Sequence, residues 1–300
     1  MTKDLLHGTD RRWSGFHGAL MRRDGSATPM VWRRVLIFGA LAALVTYIEM
    51  NPRMPNLGVE VAPYEIAGAV LGLFLVLRTN AGYDRWWEGR KLWGSIVNQS
   101  RNLAISAVAF GPAEAAWRSR FVRTAALFGH AARRGLRDQP GLPEGPVLVG
   151  AEAAERIRSS PQPALAVVAA MAALLVEARG LGLDSFAYIQ LDRERALLVD
   201  HLGACERIKK TPLPTAYTIQ ITRFIYLFMA TLPFALVQKV GWLTPLITML
   251  VAYPVLALDQ IGLELQRPFA ANSLNHLPLD EITARLEESM LVTLVEGERE

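Results

Sequence analysis

Cysteine is nearly absent from this sequence, and its scarcity excludes several kinds of chemistry. The single cysteine, Cys205, cannot form a disulfide within the chain. The sequence also lacks an HExxH motif, a nucleophile elbow for a Ser/His/Asp triad and a phosphate-cradling glycine loop. Five histidines lie at spacings unlike those of zinc ligands: His7, His17, His130, His201 and His276. We therefore expect no metal site, no cofactor and no enzymatic activity.

Nucleic-acid-binding motifs are missing as well, although the pI near 9.4 is in the range where they occur. The basic residues cluster beside apolar segments instead, which is the pattern that membrane topology produces. Apolar residues make up 51% of the chain and charged residues 20%, and the mean hydropathy is +0.21. This combination predicts a chain divided between a lipid bilayer and water, with no nucleic-acid partner.

Four segments are candidates for crossing the bilayer: residues 31–50, 61–77, 215–236 and 240–258. The last is the clearest, because nineteen consecutive residues carry no charge. Residues 163–176 are also uncharged, but the segment is short and rich in alanine, so we expect a helix outside the membrane. Polar amphipathic helices are expected in most of the remaining middle of the chain.

Residues 66–94 combine an apolar half, IAGAVLGLFLVL, with a charged and tryptophan-rich half, RTNAGYDRWWEGRKLWG. One helix that leaves an apolar medium for a polar one has this composition. Ile66, Val70 and Phe74 recur every four residues on one face of that helix. A heptad-like row through Ile66, Val70, Leu73 and Leu77 fits nearly as well, and periodicity alone favours buried packing over a pore for either row.

Four motifs resemble those of the bestrophin family, whose members are pentameric ion channels. They are RTNAGYDRWWEGRKLWG at 78–94, YIQLD at 188–192, CERIKKTPLP at 205–214 and RPFAANSLNHLPLD at 267–280. The resemblance implies an all-α fold in which a four-helix membrane-spanning region continues into a cytosolic helical bundle. It also implies a homopentamer in the bilayer that passes monovalent ions.

The resemblance assigns roles to particular residues. Bestrophins narrow the pore at a neck of three apolar residues on the second membrane helix, and the matching positions here are Ile66, Val70 and Phe74. A second, cytosolic aperture corresponds to Phe186, with Ile189 as the other possible register. Rings of apolar side chains can gate a pore by dewetting.

The expected domain organisation has five parts. They are a cytosolic N-terminal segment (1–30), membrane helices 1 and 2 with the neck (31–78), a cytosolic helical domain (79–214), membrane helices 3 and 4 (215–258) and a cytosolic C-terminal segment (259–300). The two expected outer loops contain only two basic residues, Arg53 and Lys239. The positive-inside rule therefore places both termini in the cytoplasm. The expected location is the inner (plasma) membrane.

Calcium and ion selectivity are the points where this sequence departs from the eukaryotic members. Their calcium-binding acidic run follows an RPF-like motif, but here no carboxylate follows Phe269 until Asp280, so we expect no calcium gating. Glu65 at the outer mouth of the neck and Arg78 at its inner mouth act in opposite directions on permeant ions. Without the acidic run the chain resembles the bacterial members, which are reported to include sodium-permeable channels, so the resemblance implies monovalent cations such as sodium, with chloride as the alternative. A non-conducting scaffold or receptor is the alternative of another class.

Overall fold

The computed structural model describes residues 25–51, 53 and 58–297, and in this part of the chain it contains helices and no strand. The all-α fold predicted from the sequence is confirmed. Most of the expected N-terminal segment, residues 1–24, lies outside the described residues. The α-helices are α1 (Thr28–Glu49), α2 (Ala62–Phe110), α3 (Ala115–Leu136), α4 (Gly145–Val149), α5 (Ala151–Arg158), α6 (Pro163–Gly180), α7 (Ser185–Lys210), α8 (Thr215–Val240), α9 (Thr244–Leu265) and α10 (Leu279–Gly297).

The chain divides into two compact units, and the first comprises residues 1–82 and 214–264. It holds α1, the apolar half of α2, α8 and nearly all of α9. Its core is made of aliphatic and aromatic side chains from these helices, including Phe38, Leu71, Ile225, Met229 and Leu256. Helix α1 packs on α8. The unit buries one stripe of each helix and leaves much apolar surface exposed.

The second unit comprises residues 83–213 and 265–300. Helix α3 is its centre and packs against both α6 and α10. Trp117, Phe121 and Phe128 of α3 are buried there with Met171 and Leu175 of α6. These helices are distant in sequence, and each buries its apolar face against the others, as in a bundle of amphipathic helices. The short helix α4 begins at Gly145 and Pro146.

Length and composition alone make four helical stretches of the described residues long and apolar enough to cross a membrane. They are α1, α2, α6 and the run from α8 through α9. Helix α6 corresponds to the alanine-rich segment that the sequence assigned to the cytosol. Its Val167, Met171 and Leu175 are buried in the second unit, so this apolar face has protein partners.

Helix α2 continues without interruption over 49 residues. It contributes its apolar half to the first unit and its charged half to the second. It ends at Phe110, and Gly111 follows at a point where a Cβ atom would lie 2.2 Å from the carbonyl oxygen of Ala107. Glycine therefore fits this turn where larger residues would collide, and Pro112 cannot extend the helix.

Candidate pore helix and its surroundings

The apolar half of α2 buries only one stripe of its side chains within the subunit. Leu71 and Leu75 lie in the core of the first unit. The predicted neck residues do not, since Ile66 is 71% exposed, Val70 40% and Phe74 36%. Packing within one subunit therefore does not account for this row.

The competing heptad-like row is also open, because Leu73 and Leu77 are exposed. The two rows share Ile66 and Val70, so a single subunit presents one broad exposed apolar face on α2. The assignment of the Ile66, Val70 and Phe74 row to a pore stays a prediction. Phe74 is the member of the predicted neck with a defined neighbour. Its ring meets Phe224 of α8 edge-on, with centroids 6.1 Å apart and an interplanar angle of 83°.

Arg78, which the sequence placed at the inner mouth of the neck, is not exposed in the subunit. The side chain is buried, and its Nη1 atom lies 2.6 Å from Oδ1 of Asp259 on α9, which is buried as well. Thr222 of α8 is a further neighbour at 3.4 Å. The charge that was expected at the inner mouth is therefore neutralised inside the first unit. Glu65, in the first turn of α2, is exposed as expected.

Sequence reasoning missed the partner of Arg78. Asp259 is the first charged residue after a long uncharged run, and it was placed at the start of the C-terminal segment. A signal was present, since an isolated charge beside an apolar helix needs a partner of opposite sign. Two such charges on different apolar helices, Arg78 and Asp259, could have been paired on that ground.

The residues proposed for the cytosolic aperture lie at the start of α7. Asp184 caps this helix, because its side chain accepts hydrogen bonds from the backbone nitrogens of Phe186 (2.7 Å) and Ala187 (3.2 Å). Phe186 is 83% exposed and Ile189, one turn later, 62%. Both side chains are thus largely exposed in the second unit, and both registers stay predictions.

Three of the four recognised motifs meet in the second unit. The Arg85 guanidinium of α2 donates to the carbonyl oxygens of Ile208 (2.6 Å) and Thr211 (2.7 Å), at the end of α7. The indole nitrogen of Trp86 donates to the carbonyl oxygen of Asn275 at 2.7 Å. The tryptophan-rich segment thus binds the 205–214 and 267–280 motifs, which supports its structural role.

Arg137 binds the 267–280 loop, in which the sequence predicts no calcium site. Its guanidinium donates to the carbonyl oxygens of Phe269 (3.3 Å) and Leu277 (3.1 Å) and forms an ion pair with Asp280. Burial raises the pKa of Asp280, but the hydrogen bond from Arg137 and nearby arginine charges lower it overall. The described residues contain no cluster of His, Cys, Asp and Glu suited to a metal ion. The loop carbonyls instead face an arginine cation.

A second polar cluster joins α3 to the start of α4. Glu144 accepts hydrogen bonds from Arg133 (2.8 Å) and Arg134 (3.1 Å), and it lies 3.4 Å from His130. Burial raises the pKa of Glu144, but the hydrogen bond from Arg134 and the charges of His130 and Arg134 lower it to about 2. This carboxylate is therefore ionised at physiological pH.

Cys205 is buried in the second unit, and burial raises the pKa of its thiol to about 12. The thiol is therefore protonated at physiological pH and unreactive.

The apolar helices of the first unit, the helical bundle of the second and the long helix α2 that contributes to both are typical of a helical membrane protein. Residues 8–292 match a family described as "Bacterial/Fungal Bestrophin protein", and the chain belongs to this family. The expectation drawn from the four motifs is thereby confirmed. Membership places the chain among ion channels rather than enzymes.

Relatives and solved structures agree. A voltage-dependent anion channel-forming protein of Nostoc sp. is 34% identical over 275 residues, covering 89% of this chain and 87% of the relative. The voltage-dependent anion channel-forming protein YneE of Escherichia coli K12 is 36% identical over 250 residues, covering 82% of each. The crystal structure of a bacterial bestrophin homologue from Klebsiella pneumoniae gives a TM-score of 0.83 at 28% identity, covering 88% of this chain and 98% of that one.

Proposed function

We propose that this chain forms a homopentameric channel in the plasma membrane, with its neck at Ile66, Val70 and Phe74. The observation that carries the proposal is the exposure of this row on a helix whose opposite stripe is buried. An exposed apolar face on this helix suits a ring, in which such a face is covered by neighbouring copies or lines the axis. Family membership supports the same arrangement.

The ion that passes is the second part of the proposal. The resemblance to bacterial bestrophins favoured cations, whereas the names of the relatives describe anion channels. The neck carries no charge of its own, and Arg78 is neutralised by Asp259, so neither supports a strong preference. We therefore propose that monovalent anions such as chloride pass, and sodium-like cations become the competing outcome.

A reversal-potential measurement tests this proposal. Purified protein is reconstituted in a planar bilayer with asymmetric NaCl, and the current is recorded as a function of voltage. Reversal near the chloride equilibrium potential is the expected result. Reversal near the sodium equilibrium potential would restore the cation interpretation, and Glu65→Gln should then lower cation permeability relative to chloride. A sealed bilayer under all conditions would favour the scaffold alternative.

Calcium independence, the cytosolic aperture and the topology complete the proposal. The loop that follows Arg267 binds the Arg137 guanidinium through its carbonyl oxygens, which supports a channel that opens without calcium. Phe186, with Ile189 as the other register, forms the cytosolic aperture. The first unit spans the membrane, the second lies in the cytoplasm, and both termini are cytoplasmic.

A further inference from the structure

His130 of α3 is a buried ionisable residue that has no part in the proposed pore. It is 4% exposed in the second unit. Its Nε2 atom lies 2.7 Å from Oε2 of Glu287 on α10. Its Nδ1 atom lies 3.4 Å from Oε1 of Glu144, the residue that precedes α4. The imidazole ring therefore lies between two carboxylates that belong to different elements.

The two carboxylates differ in their other partners. Glu144 also binds Arg133 and Arg134, so arginine cations compensate its charge whether or not His130 is protonated. Among the residues that the structure describes, His130 is the only side chain that pairs with Glu287. A cation therefore compensates the charge of Glu287 in this unit only while His130 is an imidazolium.

The other charged groups of this cluster come from α3, from the residue before α4 and from the start of α10. They are Arg133, Arg134, Glu144 and Asp280, with Arg137 bound to Asp280. Nearby arginines lower the pKa of both Glu144 and Asp280. Arginine and ionised carboxylate side chains keep their charge near neutral pH, whereas histidine is the side chain that changes charge there.

The number of protons on the ring decides how many contacts His130 can make. A neutral imidazole has one N–H donor, whereas an imidazolium has two. If Nε2–H points at Glu287, the neutral ring turns an Nδ1 lone pair towards the ionised Glu144, and the imidazolium turns an N–H group towards it. We propose that His130 is a proton-controlled link between α3 and α10, which is strong while both ring nitrogens carry protons and weaker once Nδ1 loses its proton.

Loss of the proton should weaken the attachment of α10 without detaching the helix. Leu286, Met290 and Leu294 of α10 are buried in the core of the second unit, and their packing does not depend on a charge. The link therefore adjusts how firmly α10 is held. With the proposed topology, the pH that acts on it is that of the cytoplasm. An effect on conduction rests on the proposed function, whereas the link itself does not.

The test compares the native chain with Glu287→Gln in detergent at about pH 5.5 and about pH 8.5, on either side of the usual histidine range. The native chain should unfold about 3 °C higher at the lower pH, because the variant replaces a charge-assisted hydrogen bond by a neutral one. The difference should fall below about 1 °C at the higher pH, since stability that depends on a bound proton is lost as the pH rises. Glu288→Gln is the matched control, because it removes the same charge from the next residue, which is exposed. Its difference from the native chain should not change with pH.

A measurement without any change at Glu287 keeps the test decisive if that variant fails to fold. Solid-state nuclear magnetic resonance of ¹⁵N-labelled histidine reports the protons on each ring nitrogen. The signal of His130 is identified in a chain whose other four histidines are replaced by glutamine. Both nitrogens should carry protons at the lower pH, and Nδ1 should have lost its proton at the higher pH.

Three results would overturn the link. They are a Glu287→Gln difference that is independent of pH, an equal pH-dependent difference in Glu288→Gln, and a His130 ring with the same protons at both pH values. Ion flux is measured separately at the two pH values. Unchanged flux in a protein that shows the expected link would contradict only the effect on conduction, and absence of all flux would contradict only the channel.

Discussion

At the scale of single residues, the buried ion pair between Arg78 and Asp259 is the most sensitive feature of the first unit. Asp259→Asn removes the charge that compensates Arg78, whose Nε and Nη2 atoms already lack hydrogen-bond partners among the residues that the structure describes. We expect the variant to lose about 3–5 kcal/mol of stability, because a buried charge left alone is far costlier than a buried pair. Thermal unfolding in detergent, followed by circular dichroism, measures the loss.

The double variant Arg78→Met with Asp259→Leu is the matched control for that prediction. Replacing both charges by apolar side chains removes the cost of desolvating them, and such exchanges are often neutral or stabilising. The double variant should therefore recover most of the stability lost in Asp259→Asn. Similar losses in both variants would mean that the polar pair itself, rather than an uncompensated charge, stabilises the unit.

The neck residues provide the second prediction at this scale. Replacing Ile66, Val70 and Phe74 together by alanine should widen and wet the constriction and so raise flux, with little loss of stability. Leu71→Ala is the control on the same helix, because this buried leucine should cost about 2–5 kcal/mol when truncated. Flux in liposomes and unfolding temperature are measured for both. A destabilised triple variant with unchanged conductance would show that the row is packed rather than pore-lining.

At the scale of helices, the ion pairs of Glu144 with Arg133 and Arg134 join α3 to the start of α4, and their contribution to stability depends on pH. The pKa of its carboxyl in the folded protein is about 2, against a usual 4.5. A lowered pKa contributes stability that is complete above pH 4.5 and is lost as the pH falls towards 2. Glu144→Gln should thus be less stable than the native chain at pH 7, and the difference should shrink on acidification. Unfolding temperatures across this pH range give the comparison, with exposed Glu152→Gln as the control.

Arg137 connects α3 to the loop that precedes α10, and its removal should loosen both. Arg137→Ala leaves the carbonyl oxygens of Phe269 and Leu277 without this donor, at about 1.5–3 kcal/mol for each charge-assisted bond. Thermal unfolding should show the loss, and millimolar calcium should not restore it. The surface pair of Arg120 with Glu177 is a suitable control, because Arg120→Ala should cost about 1 kcal/mol or less. Rescue of Arg137→Ala by calcium would mean that the loop retains a working cation site.

The sequence predicted local features of these helices better than their long-range partners. The end of α2 at Phe110 follows from Gly111 and Pro112, which act on the backbone directly beside them. Spans and neck candidates follow from composition and from a four-residue period. The bond between Arg137 and the 267–280 loop could not be predicted, because no local pattern states which carbonyl a distant arginine reaches. Arg78 was misplaced for the same reason, since helical spacing put it on the exposed row and only Asp259 explains its burial.

At the scale of the whole molecule, the exposed apolar surface of a single subunit indicates that it does not function alone. Many large apolar side chains are exposed on α1, α2, α8 and α9. Exposed apolar surface marks sites of contact with a membrane or with another protein. Lipid can cover part of this surface. Close contact between helices of different copies needs small residues as well, because backbones approach only where side chains are short.

Gly72 is the residue where this requirement can be tested. A Cβ atom at Gly68 would contact Phe228 of the same subunit at 3.5 Å, whereas one at Gly72 would meet no atom of the described residues within 4 Å. Gly72→Leu should therefore leave the subunit fold intact and still break the oligomer, because the new side chain blocks the approach of a neighbouring helix. Gly72→Ala should assemble normally, since alanine is small enough for such contacts. Size-exclusion chromatography with light scattering measures the oligomer, and a Gly72→Leu protein of unchanged mass and full ion flux would place Gly72 against lipid rather than against another subunit.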